Sequence, residues 1–61
     1  MEASYCIACR DKKSGKVGSF ITNSETGETI SPVFDSCAWL FMWMKENGWE
    51  TFGMWGVRKV N

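Results

Sequence analysis

A chain of 61 residues forms one small domain, spanning 1–61, near the lower limit for independent folding, because a chain of about 60 residues buries only roughly 60% of the surface it exposes when unfolded. Its 44% hydrophobic content, with four Trp, four Phe and four Met, excludes a disordered tail. Seven basic residues balance seven acidic ones, which removes any global attraction to nucleic acid or an anionic membrane and any mimicry of a polyanion.

In chain order, residues 4–10 (Ser-Tyr-Cys-Ile-Ala-Cys-Arg) read as a strand with Tyr5, Ile7 and Cys9 on one face and Cys6, Ala8 and Arg10 on the other. A polar stretch with a Ser14-Gly15 turn signal leads to a second strand over 17–22, and the two are expected to pair as an antiparallel hairpin. Residues 23–28 make a further turn, and 29–34 run extended, with Thr29-Ile30 able to pair briefly with the second strand.

The stretch 31–48 carries the signals of one capped helix. Pro32 disfavours helical geometry at Ser31, Asp35 or Ser36 can cap the first turn, and Gly48 can adopt the left-handed conformation that ends helices. Residues 49–51 then turn the chain into a third strand over 52–60, in which Gly53 and Gly56 suggest a bulge or a close backbone approach. The expected fold is α+β, a small antiparallel three-stranded sheet with one helix packed on one face, in the order β-β-α-β.

Helical spacing of about 100° per residue places Cys37, Leu40, Phe41 and Met44 on one stripe facing the sheet. Trp39, Met42 and Glu46 point nearly the other way, and Trp43 lies on a flank. A sheet covers one side of a helix, so Trp39 and Met42 are expected to stay partly exposed, with Trp43 or Phe41 extending the patch. The competing expectation is that the tryptophans bury against the loop over 23–34. Exposed Trp and Met favour a protein interface, because Trp supplies much of the energy at such contacts and Met adapts to a partner's shape. The expected partner-binding set is therefore Trp39, Met42 and Trp43, with Lys45 and Glu46 as a polar rim. An isologous homodimer through this outward face would cover the same surface.

A second reading comes from the basic residues. Arg10, Lys12, Lys13 and Lys16 cluster around the first turn, joined by Arg58 and Lys59 if the third strand lies beside the first. With Tyr5, Phe20 or Trp55 as an aromatic platform, they could hold a nucleotide or a single-stranded nucleic acid, bases stacking on rings and cations meeting phosphates. Ser14-Gly15-Lys16 lacks the leading glycine of a phosphate-binding P-loop.

The three cysteines include a Cys6-x-x-Cys9 pair, with Cys37 as a possible third thiolate. On a strand, residues three apart face opposite sides, no histidine supplies a fourth ligand, and the pair does not open a helix as a redox pair would. Small buried hydrophobes are the expected role for all three, Cys37 included, and neither a metal nor another cofactor is expected. Acid-base chemistry would fall to Asp35, Glu25, Glu28, Glu46 or Glu50, none paired with a nucleophile, so no enzymatic activity is expected. The odd thiol count, the absence of a basic leader before a long apolar run, and the lack of any apolar stretch near the roughly 18 residues of a membrane span point to a reduced, cytoplasmic protein.

The run over 26–36 (Thr-Gly-Glu-Thr-Ile-Ser-Pro-Val-Phe-Asp-Ser), followed by a helix containing Trp43-Met44 and ending Glu46-Asn47-Gly48-Trp49, resembles a pattern of very small phage-encoded proteins: a strand hairpin, "ISPVF", a short helix with "WL" or "WM", then "NG". The likeness covers about half the chain. It implies a free-standing protein in the host cytoplasm that acts by binding, blocking a host enzyme or a defence complex such as a CRISPR effector. Trp39 and Met42 stand where that pattern more often carries polar or charged residues, a departure that fits a specialised binding face or a homodimer seam.

Overall fold

The computed structural model describes residues 4–11 and 14–60. They form an α+β fold with strands β1 (Tyr5–Arg10) and β2 (Val17–Asn23), helix α1 (Cys37–Glu46), and strands β3 (Trp49–Phe52) and β4 (Gly56–Lys59). All strand pairs are antiparallel, in the spatial order β2-β1-β4-β3.

The expected three-stranded sheet in the order β-β-α-β is therefore corrected to four strands in the order β-β-α-β-β. Residues 52–60 do not run as one strand. The chain pairs as soon as it leaves the helix, reverses through Gly53-Met54-Trp55, and returns with Phe52 opposite Gly56. A straight nine-residue strand would extend about 30 Å, as long as the longest dimension of the whole molecule, 29 Å. The hairpin instead returns Val57 to the core, beside Tyr5 of β1.

The first hairpin matches expectation, with Ile7 opposite Ile21 and Ala8 opposite Phe20. An irregularity between Ala8 and Arg10 breaks the strict alternation, and Cys9, assigned by alternation to the face of Tyr5 and Ile7, is exposed. The hairpin turn closes through Asp11, whose backbone carbonyl accepts from Gly15 N at 2.7 Å and whose carboxylate accepts from Ser14 Oγ at 2.8 Å.

Between β2 and the helix, the chain doubles back along the outer edge of β2. Isolated bridges join Thr22 to Thr29 and Ser19 to Phe34. Where this ladder is interrupted, a side chain replaces it: Ser31 Oγ accepts the Ile21 N–H at 2.8 Å and donates to the Pro32 carbonyl at 3.0 Å. Gly18 is required beside this segment, since a Cβ there would lie 2.4 Å from the Phe34 carbonyl oxygen. One edge of the sheet is thus sealed by the chain itself.

Ser36 caps α1, its hydroxyl accepting from Trp39 N at 3.5 Å. Asn47 closes the other end, its side-chain amide donating to the Trp43 carbonyl at 2.8 Å, and Gly48 follows at φ +73°. The helix packs chiefly on the outer strands β2 and β3. Leu40 and Met44 join Ile21 and Val57 in the core, with Tyr5, Ile7, Ile30, Phe34, Trp43 and Trp49 packed around them.

The inward stripe of α1 is rotated from the expected one. Trp43, read as a flank residue, is half-buried against the core, while Phe41, read as core, is exposed. The difference is about 50° around the axis at helical spacing. The chain enters β3 two residues after the helix ends, and Trp43 and Trp49 both pack against the core, so the Trp43 side of α1 faces the sheet.

Candidate functional site

The outer face of α1 carries Trp39 and Met42, one helical turn apart and 59% and 55% exposed. Neither is covered by the 23–34 loop, which is engaged along β2 instead. Phe41 is exposed on the opposite flank, and Lys45 and Glu46 are exposed beside them. Of the five residues expected to meet a partner, four therefore stand outward together, and Trp43 is drawn into the core. Phe41 joins the outward set, one of the two residues expected to extend the patch.

A second apolar surface lies at the β3–β4 turn. Phe52, Met54 and Trp55 are 59%, 91% and 64% exposed. The backbone of this turn is well anchored: the Trp55 carbonyl accepts from Ile7 N at 2.9 Å, which ties the tip to the middle of β1. The Arg58 guanidinium lies 5.0 Å from the Phe52 ring centroid and also pairs with Glu50. Sequence reasoning missed this surface because residues 52–60 were taken as one strand, in which Met54 would alternate with its neighbours. The spacing of Gly53 and Gly56 around Met54-Trp55 was the available signal.

The basic set does not assemble as a whole. Arg10 and Lys16 lie together at the β1–β2 turn, where Asp11 N donates to the Lys16 carbonyl at 2.9 Å. Lys12 and Lys13 lie outside the described residues. Although β4 does pair with β1, the register sets Val57 opposite Tyr5, so Arg58 sits beside Ser4, six residues and about 20 Å along the strand from Arg10. Of the three rings read as an aromatic platform, Trp55 is exposed while the other two are engaged in the fold. Phe20 is 2% exposed and offers no free ring face, and Tyr5 packs edge-on against Trp49 with centroids 5.1 Å apart. A cleft of about 230 Å³ does open beside Arg10, lined by Cys6, Ala8, Phe20 and Thr22 among others.

The cysteines are not the buried hydrophobes expected of them. Cys6 is half-buried, and Cys9 and Cys37 are exposed. Cys37 opens the helix with its Sγ 3.1 Å from Ser19 Oγ, a contact that fixes the start of α1 over β2. Among the described residues no group of three or more Cys, Asp or Glu side chains is placed to hold a metal ion. No helix among them is long and apolar enough to cross a membrane.

What the geometry provides is contact area: two exposed apolar surfaces, one on the helix and one on a hairpin tip, held by a small core. Comparison of the chain with protein-family models, with curated proteins and with solved structures finds no match.

Proposed function

We propose that this is a non-catalytic binding protein that inhibits a partner protein by surface contact, the outer face of α1 forming the contact. The observation that carries the reading is the pair Trp39 and Met42, each more than half exposed on a helix whose inner stripe is already satisfied by Leu40, Trp43 and Met44. Nothing in the packing of the helix requires large apolar residues at 39 and 42. Leaving more than half of each in water forgoes roughly half of the about 1.5–3 kcal/mol that full burial of a large apolar side chain contributes, a gain that a partner surface would recover. Lys45 and Glu46, both exposed, give this patch the charged rim typical of a protein contact. The class of partner, a host enzyme or a defence complex such as a CRISPR effector, follows from the resemblance to small phage-encoded proteins.

The test is a phage-plating assay in cells carrying an active CRISPR effector and expressing this chain, with Trp39→Ala and Met42→Asp as variants. The wild-type chain should restore plating, and both variants should fail while keeping the wild-type circular dichroism spectrum. Equal activity of the variants, or no protection by the wild-type chain together with no binding to the purified effector, would refute the reading. Nucleotide or single-strand binding at Arg10 and Lys16 has less support, because two of the three rings read as a stacking platform, Tyr5 and Phe20, are engaged in the fold and only Trp55 stays exposed.

A further inference from the structure

We propose that the outer edge of β3 is a strand-addition site, which takes one extended segment of another protein as a fifth, antiparallel strand of the sheet. The proposal does not rest on the inhibitor reading, since it uses backbone groups of β3 and not the outer face of α1.

The two edges of the sheet differ. β2 is bordered by the chain's own 29–34 segment, whereas β3 is the last strand on the other side. Antiparallel pairing turns the N–H and C=O of alternate residues toward one neighbour and those of the residues between them toward the other. The Val60 N–H donates to the Gly48 carbonyl at 2.6 Å, and from there the register runs on with Trp49 opposite Lys59, Glu50 opposite Arg58, Thr51 opposite Val57 and Phe52 opposite Gly56. The Phe52 carbonyl oxygen lies so close against Gly56 that a Cβ would not fit there. Glu50 and Phe52 therefore bond to β4, and Trp49 and Thr51 each turn an N–H and a C=O outward. Among the described residues, no backbone or side-chain group bonds to these outward donors and acceptors.

Sheet edges are commonly blunted by a proline, a bulge or a lysine. β3 carries none of these: its register is unbroken, and its one charged residue, Glu50, is paired with Arg58. Its length of four residues confines it to one short segment.

A second copy fits this edge poorly. A two-fold pairing centred on Glu50 uses the outward groups of both Trp49 and Thr51, but sets Glu50 directly opposite its own counterpart, with like charges on Cα atoms about 4.5 Å apart. Centring on Thr51 removes that conflict and leaves Trp49 opposite Gly53, where φ is +73° and the chain has left the strand. Only the bonds of Thr51 then remain. A foreign segment is free of the symmetry and meets Trp49 and Thr51 together.

The register also sets the chemistry of that segment. Trp49 packs on the core side, so Glu50 and Phe52 share the face turned from α1. Phe52 is 59% exposed, and an apolar residue opposite it would cover the ring. A basic residue opposite Glu50 would meet the carboxylate oxygen that Arg58 does not take. β-Branched residues suit the positions opposite Thr51 and Trp49. Read from its own N-terminus, the antiparallel segment is apolar, β-branched, basic, β-branched.

The test titrates the isotope-labelled 61-residue chain with the blocked peptide Ser-Ile-Thr-Lys-Val-Ser, followed by amide chemical shifts and hydrogen exchange. In the free chain the Trp49 and Thr51 amides should exchange about tenfold or more faster than those of Glu50 and Phe52. Peptide at about 2 mM should shift the β3 resonances and slow exchange at Trp49 and Thr51 about tenfold, as a dissociation constant on the order of 100 µM gives. Methylating the peptide's Thr nitrogen, whose N–H faces the Thr51 carbonyl, should abolish binding, and methylating its Lys nitrogen, which points away, should change it less than about threefold. Thr51→Pro removes an outward N–H that the fold does not use, at an edge position that tolerates proline, and should weaken binding about tenfold or more. If that variant unfolds, the two methylated peptides decide.

Free-chain Trp49 and Thr51 amides as protected as those of Glu50 and Phe52 overturn the proposal. So do an absence of shifts at about 2 mM peptide, equal loss on both methylations, or a folded Thr51→Pro chain that binds as the wild type does. Protection that appears without peptide and grows with chain concentration would assign the edge to a second copy, and shifts centred on Trp39 and Met42 would assign the peptide to the helix face; either result equally overturns it.

Discussion

Ser31→Ala tests the least conventional piece of the fold. Ser31 is 5% exposed, and its hydroxyl is the acceptor for the N–H of Ile21, a residue with no exposed surface. Removing the oxygen leaves that N–H buried without a partner, at a cost of about 1–3 kcal/mol, while the volume change is that of one oxygen atom. Against a total stability of roughly 3–9 kcal/mol for a domain of this length, the loss is large. A domain of about 60 residues loses roughly 8 °C in Tm per kcal/mol, so a cost of about 2 kcal/mol predicts a fall of roughly 15 °C. Thermal denaturation followed by circular dichroism measures it. Ser14→Ala, which removes an exposed hydrogen bond to Asp11, is the control and should shift Tm by no more than about 4 °C. A Ser31→Ala midpoint indistinguishable from wild type would mean that the 29–34 segment does not seal the edge of β2 as described.

The helix gives a sharper contrast between neighbouring positions. Leu40→Ala removes a side chain with no exposed surface and should cost about 2–5 kcal/mol, enough to leave much of the chain unfolded at 37 °C, whereas Met42→Ala, at a residue 55% exposed, should cost under about 1 kcal/mol in urea denaturation. Gly18→Ala forces a Cβ to within 2.4 Å of the Phe34 carbonyl oxygen, and displacement of the 33–34 backbone should cost about 1–3 kcal/mol by the same assay. Alkylation of the native chain followed by mass spectrometry should modify Cys9 and Cys37 before Cys6, and uniform labelling at all three would contradict the burial of Cys6.

Local patterns in the sequence determined the first hairpin, the presence of the helix and where it ends, with the starting cap narrowed to Asp35 or Ser36 and the structure choosing Ser36. Those features depend on neighbours within a few residues: alternation in 4–10 and 17–22, the Ser36 hydroxyl three residues before the Trp39 amide, and a glycine at 48 where a left-handed angle ends the helix. The exposure of Trp39 and Met42 was legible too, because Leu40 and Met44 fixed one side of the helix to within half a turn. Only the tertiary structure decided the rest. Whether Trp43 or Phe41 completes the inner stripe turns on a rotation of about 50°, set by where β3 lies and not by the helix's own spacing. The division of 49–60 into two strands depends on β1 offering Tyr5 and Cys6 as partners for Val57 and Gly56. The separation of Arg58 from Arg10 is likewise a matter of register, and register belongs to the pairing of strands distant in sequence, which no local pattern specifies.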